Sequence, residues 1–429
     1  MRRIYVVVVV AFFASSFSEA KEQVLKIDDL IEIALSHSPD INIRKLDFKS
    51  AQENTKFSKG FYLPRLDASV DGGKQYSSLQ SEDDIDILVG SLGASQLLYD
   101  FGKTAGRISG SAEEALSLEA QMQQTISDKI FTVKQNYYEI LKAKDIIDVQ
   151  VKNVNLQKKQ LYRAQKYLES GIKTIIDVSD AQVKVEQAKL SLNNARYSLE
   201  LQRAVLEETI GIVPYNGNYR LYSKKLDMKN LGKNLPYISM ALKSLEKYAY
   251  EHRYVLSSSE YLVKSAESNV DATKGEYYPT ISLLGSYAQQ HVDESLAELS
   301  PERQAQVTVN MQWNLFSGYQ TDASVQEAKI GVLKASSQVD STKLGVKREV
   351  LESHIAMRQG KENVFLSQSI AAASLQKLDQ AEKRYENELS DYIELQDAQQ
   401  EYIESLSDLV NAYYDYFISL AELEHAIGK

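Results

Sequence analysis

Apolar residues recur at intervals of seven along a segment that contains no helix-breaking residue. No glycine or proline lies between residues 111 and 170, so nothing there interrupts a helix. Within the segment the repeat runs through Val133, Ile140, Ile147, Val154, Leu161 and Leu168. A strict seven-residue repeat imposes a left-handed supercoil on neighbouring helices. The pattern therefore predicts that residues 100–170 form one long helix that packs lengthwise against others.

The same pattern occurs a second time in the other half of the chain. Residues return at a nearly constant offset of 215 to 217 positions, as in His37 and His252, Tyr62 and Tyr277, Leu98 and Leu315, and Asp180 and Asp397. The seven-residue series recurs as Val350, Met357, Val364, Ala371, Leu378 and Tyr385. We therefore predict a duplicated unit. The expected segments are a signal peptide (1–20), a first repeat (21–211), an equatorial linker between the repeats (212–236) and a second repeat (237–429).

Each repeat is predicted to contain a helix, two strands, a long helix, a turn and a returning helix. In the first repeat we expect a helix over 27–60 that Pro39 resets, strands near 66–71 and 85–99, and a loop over 77–84. The long helix of 100–170 and a returning helix over 177–211 follow. The second repeat predicts a helix over 238–275, strands over 277–289 and 307–315 around a loop at 291–303, and helices over 319–388 and 391–428.

The strands alternate between apolar and polar residues. Residues 307–315 place five apolar side chains on one face and four polar ones on the other, which is strand periodicity. Membrane strands have this pattern, with aromatic residues near their ends, and so does a half-buried sheet of a soluble domain. Alternation alone leaves both alternatives open.

Helix lengths predict how the helices are arranged. The helix over 100–170 has about seventy residues, whereas those over 177–211 and 27–60 have about thirty-five each. One long helix is therefore expected beside two short ones stacked end to end. Four strands are too few to enclose a channel, since even eight leave room only for side chains. A channel would thus need several copies of the chain.

The N-terminus has the pattern of a secretory signal peptide. Arg2 and Arg3 precede an apolar run, and Ser18 and Ala20 are small residues at the expected cleavage site. The sequence contains no cysteine, which fits export to an oxidising compartment and removes the residue that lipid attachment would need. The net charge of −10 disfavours a nucleic-acid partner.

Catalytic, cofactor-binding and metal sites are not expected. The five histidines are scattered without metal-ligand spacing, and no phosphate-binding loop or nucleophile elbow is found. We therefore expect a protein that is not an enzyme and that has no cofactor. The single tryptophan, Trp313, falls on the apolar side of its predicted strand and is interpreted as a lipid or interface residue.

Several short motifs occur in the same order in both repeats. Leu-Tyr-Asp-Phe-Gly at 98–102 and Leu-Phe-Ser-Gly at 315–318 join strand to helix, and Tyr-Leu-Pro and Tyr-Tyr-Pro precede the strands. Thr-Ile-Ile-Asp-Val-Ser-Asp-Ala at 174–181 marks the helical turn. Over essentially the whole chain after residue 20, this arrangement resembles the TolC family of outer-membrane efflux (channel-tunnel) proteins.

The resemblance implies a mainly α fold with a β-barrel part. In it, a homotrimer forms a twelve-stranded barrel in outer-membrane lipid, continued by a periplasmic coiled-coil tunnel of helices. The implied function is a passive, gated exit duct of a tripartite efflux or type I secretion system. Its implied partners are a periplasmic adaptor (membrane fusion) protein and an inner-membrane pump of RND, ABC or MFS type. The alternative is a periplasmic coiled-coil structural or adaptor protein without a pore.

The resemblance also assigns residues to the periplasmic aperture. Glu394 and Asp397 match the acidic rings at the turn of the second repeat, and Asp177 and Asp180 are their counterparts in the first. Tyr385 matches a tyrosine that links the closed state, while the arginine expected in that network is replaced by Ser390. Each acid has an alternative role as a cap or first-turn carboxylate of its helix. The first turn, 173–180, is expected to help receive the adaptor.

Overall fold

The structure is a computed structural model, and it describes residues 23–75, 85–172, 174–215, 219–223, 226–228, 230–292, 303–387 and 389–429. The predicted signal peptide and the predicted loop over 77–84 lie outside the described residues. So do most of the loop over 291–303 and Lys173 at the first turn.

The long helices, the shorter helices and the strands of the four-stranded sheet follow one another in the same order in each half of the chain. The first half contains β1 (Gln23–Leu25), α1 (Ile27–His37), α2 (Pro39–Gly60), β2 (Arg65–Gln75), β3 (Ile85–Tyr99), α3 (Lys103–Glu169), α4 (Ile175–Thr209) and β4 (Tyr219–Leu221). The second contains α5 (Leu242–His252), α6 (Tyr254–Lys274), β5 (Thr280–Val292), β6 (Arg303–Gln312), α7 (Gln320–Glu386) and α8 (Tyr392–Ala426). Short 3-10 turns lie at Leu231–Asn234 and Gly275–Tyr277.

The predicted fold class is confirmed, with differences in detail. Both long helices have 67 residues and both returning helices have 35. The segment predicted as one helix over 238–275 begins later and divides at Arg253, whose ψ of 115° is extended. The final strand spans Arg303–Gln312 rather than 307–315. Inside the predicted linker, β4 pairs in parallel with β1, a contact that the sequence did not predict.

Two compact units are built from discontinuous segments. The first takes described residues from 1–38, 129–237 and 356–421, and the second takes them from 39–128, 238–355 and 422–429. Each unit draws on both proposed repeats, and α3, α7 and α8 contribute residues to both units. None of the helices in the described ranges combines the length and the hydrophobicity needed to cross a lipid bilayer.

In the first unit, the seven-residue series lies between the helices. Val133 and Ile140 of α3 are buried, as are Met357 and Val364 of α7, which removes their apolar surface from water. Polar contacts join helices across this core: Asn136 of α3 donates to Thr209 of α4 at 2.8 Å, and Ser374 of α7 lies 2.6 Å from Ser405 of α8. The heptad prediction therefore identified the packed face of the long helices.

In the second unit, α3 and α6 approach closely through small residues. A Cβ added to Gly106 would lie 2.6 Å from the backbone nitrogen of Ala272. Ser117 and Ser258 meet through their hydroxyl oxygens at 2.9 Å, and both are buried. The glycine is therefore needed for the close contact between the two backbones.

A histidine and a glycine form the same junction once in each unit. In the first unit, Gly211 has φ +79°, and a Cβ added there would lie 2.7 Å from the carbonyl oxygen of His37. In the second unit, Gly428 has φ +81°, and a Cβ added there would lie 2.9 Å from the carbonyl oxygen of His252. Left-handed backbone and close approach both favour glycine. Each of the two repeat-related histidines is the last residue of its helix, and each lies against the C-terminal end of a returning helix.

The second unit carries an antiparallel sheet in the order β2-β3-β5-β6. Residues paired directly across neighbouring strands share a face. One such row reads Leu66, Ala94, Gly285 and Val307, and the next reads Asp67, Gly93, Ser286 and Gln306. The register therefore collects most of the apolar positions of the four strands on one face and most of the polar positions on the other, with Val89 and Leu284 among the exceptions. Large residues of the apolar face, including Leu66, Val70 and Val307, are exposed.

Replacing Gly106 with alanine is expected to destabilise the protein by about 1–3 kcal/mol, because backbone atoms of α6 would have to move to admit a methyl group. The matched control is Gly331→Ala on α7, where no atom lies within 4 Å of an added Cβ. There the substitution should raise stability by about 0.4–1 kcal/mol. Thermal unfolding followed by circular dichroism measures both changes, and equal midpoints for the two variants would contradict the close-packing account.

Candidate functional site at the helical turns

The turn between α7 and α8 rests on a small apolar cluster in the first unit. Four buried residues form it, and Tyr385 and Tyr402 pack against it: Leu378, Ala381, Leu395 and Ala398. Because two of these residues belong to the last turns of α7 and two to the first turns of α8, the cluster fixes the two helix ends beside each other. The acidic residues of α8 are held on this base.

Asp391 caps α8 immediately before the predicted aperture residues. Its Oδ1 accepts a hydrogen bond from the backbone nitrogen of Glu394 at 2.9 Å, which satisfies an N–H group that the helix leaves free. The cap role therefore falls to Asp391. The side chain of Glu394 remains available for other contacts.

Glu394 is half-buried and pairs with an arginine of its own chain. Its Oε1 lies 3.4 Å from Nη1 of Arg384, and Nη2 of Arg384 donates to the carbonyl of Leu389 at 3.4 Å. Asp397, one turn further along α8, is exposed. A hydrogen bond from Lys377 to Glu401 raises the pKa of that lysine, and the charges of Glu401, Asp397 and Glu394 add to the effect.

In the first turn, the two predicted acids have different environments. Oδ2 of Asp177 accepts hydrogen bonds from the backbone nitrogen of Thr174 at 2.9 Å and from its hydroxyl at 2.8 Å. Asp180 is exposed one turn later. The structure therefore gives Asp177 the capping contact that was its alternative role, whereas Asp180 presents its carboxylate to solvent.

Tyr385 lies among aromatic rings contributed by three helices. Its ring centroid is 6.4 Å from that of Tyr167 on α3 and 6.2 Å from that of Tyr392 on α8. Burial raises the pKa of Tyr385, with smaller contributions from Tyr167 and Asp177. Burial likewise raises the pKa of Tyr392, followed by Tyr385 and Asp180. The two phenols therefore stay protonated, near the acids of the first turn.

Ion pairs that the sequence reasoning missed connect α3 with α7 just before the turns. Lys159 lies 3.3 Å from Glu382, and Arg163 pairs with Glu386. The sequence did contain a signal for these pairs. Lys159 and Arg163 are four residues apart on α3, and Glu382 and Glu386 are four residues apart on α7, so each pair lies along one side of its helix. Ser390 is half-buried, and the arginine that pairs with Glu394, one of the predicted aperture acids, is Arg384.

Among the described residues, no cluster of three or more histidine or carboxylate side chains is arranged to hold a metal ion. The site instead combines carboxylates, their basic partners and the half-buried phenols of Tyr385 and Tyr392.

The two long helical hairpins and the open four-stranded sheet have the architecture expected of an outer-membrane protein of the efflux type. The sequence profile of the family described as Outer membrane efflux protein matches residues 30–212 and again residues 247–429, and the chain belongs to this family. It is therefore an outer-membrane protein.

Relatives named as outer-membrane proteins support the same assignment, and a solved structure shares the fold. The chain is 23% identical to the Outer membrane protein TolC of Vibrio cholerae over 386 residues, which cover 88% of this chain and 85% of that one. It is 21% identical to the Probable efflux pump outer membrane protein TtgC of Pseudomonas putida, with coverage of 94% and 82%. Crystal structures of CusC share the fold with a TM-score of 0.82 and 15% identity, covering 94% and 92% of the two chains.

Replacing Asp177 with alanine should destabilise the tip of the first hairpin by about 0.5–2 kcal/mol, because Thr174 loses the carboxylate that accepts its hydrogen bonds. Asp180→Ala is the matched control, and its exposed side chain should be replaceable with almost no change in stability. Amide hydrogen exchange over residues 174–182 measures the local opening. Equal protection in both variants would contradict the capping role.

Proposed function

We propose that three copies of this chain form a gated exit duct through the outer membrane. Cargo is delivered to it by an inner-membrane pump and a periplasmic adaptor protein, in a tripartite efflux or type I secretion system. The observation that carries this proposal is the four-stranded sheet, which has one exposed apolar face and two unpaired edges. The apolar face requires an apolar environment and the edges require further strands, and a single chain in water provides neither.

The edges support assembly from several copies. In the described sheet, β2 and β6 are the outer strands, and each has a neighbour on one side only. Unpaired edges expose backbone donors and acceptors that pair readily with another strand, and in lipid every such group must be satisfied. Joining β6 of one copy to β2 of the next, three times, would give a closed twelve-stranded sheet with its apolar face toward lipid.

A second apolar series on α4 supports lateral association of the helices. Ile176, Val183, Leu190 and Tyr197 recur every seven residues, and they are 67%, 52%, 61% and 57% exposed. This series lies beside the buried one that runs through Val185 and Leu206. Large exposed apolar stripes mark interaction surfaces. In the proposed trimer, the stripe packs against a helix of a neighbouring copy.

The gate is proposed to lie at the helical turns. Three copies of Glu394 and Asp397 around a narrow opening would attract cations and repel anions, with Asp177 and Asp180 contributing to the same region. Tyr385 would hold the closed arrangement through its contacts with Tyr167 and Tyr392. The energy for transport then comes from the pump, of RND, ABC or MFS type, with the first turn receiving the adaptor.

The alternative, a periplasmic coiled-coil protein without a pore, would leave the apolar face of the sheet in water. Two substitutions at neighbouring positions of β6 distinguish the duct from this alternative. Val309→Lys places a charge on the apolar face and Thr308→Lys places one on the polar face. A lysine facing lipid near the bilayer midplane costs about 2–4 kcal/mol, so Val309→Lys should strongly reduce the yield of assembled oligomer in the outer membrane. Thr308→Lys should assemble normally.

Membrane fractionation with native gel electrophoresis measures both yields. Normal assembly of both variants, or recovery of the unaltered protein in the soluble fraction, would contradict the duct.

Removing the two aperture charges should change ion selection. The double variant Glu394→Gln with Asp397→Asn is expected to show lower selectivity for cations and weaker block by divalent ions, because neutral amides do not attract cations through long-range charge. The control is Glu352→Gln on α7, which removes one exposed carboxylate elsewhere.

Single-channel recording in planar bilayers gives the permeability ratio. Conductance with unaltered selectivity would exclude these acids from the aperture while leaving the duct itself intact.

A further inference from the structure

A cavity of about 480 Å³ lies within the first unit, between α3, α8 and residues that follow β4, among them Tyr222, Asp227 and Leu235. Its walls are dominated by aromatic rings: Tyr137, Tyr138, Tyr222, Tyr413, Tyr414 and Phe417. Aliphatic side chains such as Leu141 and Leu235 fill much of the remaining wall. Cavities of about 300–1,000 Å³ lined in this way are typical of small-molecule sites.

The aromatic rings that line the cavity contact one another, and the same contact geometries are available to an aromatic ring of a ligand. The centroid of Phe417 lies 5.3 Å from that of Tyr138, with the planes tilted by 35°, and 5.1 Å from that of Tyr413 in an edge-to-face arrangement. Offset and edge-to-face contacts at such distances add about 0.5–1.5 kcal/mol beyond the buried area. A flat aromatic molecule in the cavity could extend this series of contacts.

The phenol groups of two rings are already committed to the protein. The hydroxyl of Tyr137 donates to the carbonyl of Tyr222 at 2.6 Å, and that of Tyr414 donates to Oδ2 of Asp145 at 2.5 Å. Burial and this carboxylate raise the pKa of Tyr414, so its hydroxyl stays protonated. These two hydroxyl groups therefore keep their protons for internal acceptors, and a ligand would meet ring surfaces there.

Asp227 is the charged side chain among the described lining residues, and Lys144, outside the lining, contacts the lining residue Ser223. Nζ of Lys144 donates to the hydroxyl of Ser223 at 2.6 Å, and Oδ2 of Asp227 accepts from the side-chain amide of Asn230 at 2.7 Å. Because each of these charges already has a hydrogen-bond partner in the protein, neither provides an unpaired countercharge for an ionic ligand. Transferring an ion onto the ring surfaces would cost desolvation that a neutral molecule avoids.

We infer that this cavity is a binding site for a neutral aromatic molecule of one or two fused rings. The site is separate from the acidic turns, and it holds whether or not the chain acts as an exit duct. Binding places the ligand between helices α3 and α8 and the residues that follow β4, so occupancy also stabilises their contact.

The test uses the purified full chain in lipid nanodiscs and indole as the probe. Saturation-transfer difference NMR detects indole bound to the protein, and empty nanodiscs of the same lipid correct for partition into the bilayer. A saturable signal above the empty nanodiscs is expected. A signal equal to that of the empty nanodiscs would overturn the site.

Two variants locate the binding. Leu235→Trp fills part of the cavity, and Phe417→Leu removes a ring while keeping an apolar side chain; each should weaken indole binding by about tenfold or more, a factor that corresponds to about 1.4 kcal/mol. Leu262→Trp, at an exposed position on α6, adds the same ring elsewhere and should bind indole normally. Matching circular dichroism spectra establish that the variants fold. Unchanged binding in both cavity variants would refute the location.

A matched probe series tests the chemical class. Tryptamine carries a positive charge and indole carboxylate a negative one on the same ring system. Both should bind about tenfold more weakly than indole, because the site gives them no unpaired countercharge. Tighter binding of either ion than of indole would overturn the assignment to a neutral ligand.

Discussion

The structure depends on the burial of a seven-residue apolar series along two helices of 67 residues each. A single helix of this length exposes its apolar positions to water, and most helical stability in proteins comes from packing of that face. In the first unit Val133, Ile140, Met357 and Val364 are buried between neighbouring helices. The returning helices and the turns take their positions from this packing.

At the turns, some acidic residues cap their own helix and others form contacts with residues further away in the chain. Asp391 and Asp177 hold the first turns of α8 and α4, each through hydrogen bonds to residues three positions away. Glu394 instead reaches back across the turn to Arg384. Carboxylates within a few residues of each other therefore have distinct roles, and the free charge at a turn is smaller than the number of acids suggests.

The sheet and the helices present two different kinds of exposed apolar surface. On the sheet, register aligns most of the apolar positions of four strands into one face, which suits contact with lipid tails. On α4 the exposed residues follow a seven-residue period, which suits contact with another helix. The periods of two and seven thus distinguish the two surfaces, and both are consistent with membership of an outer-membrane efflux family.

The sequence by itself determined the features that depend on local periodicity: the two long helices, the turns after them and the four alternating strands. It also identified the buried faces, since Val133 and Val364 belong to the predicted series. Only the tertiary structure decided the pairing of β1 with β4, the break at Arg253, the contact of Arg384 with Glu394 and the aromatic cavity. These features join residues far apart in the chain, or follow from close approach of backbones. Side-chain spacing along one segment carries no information about such contacts.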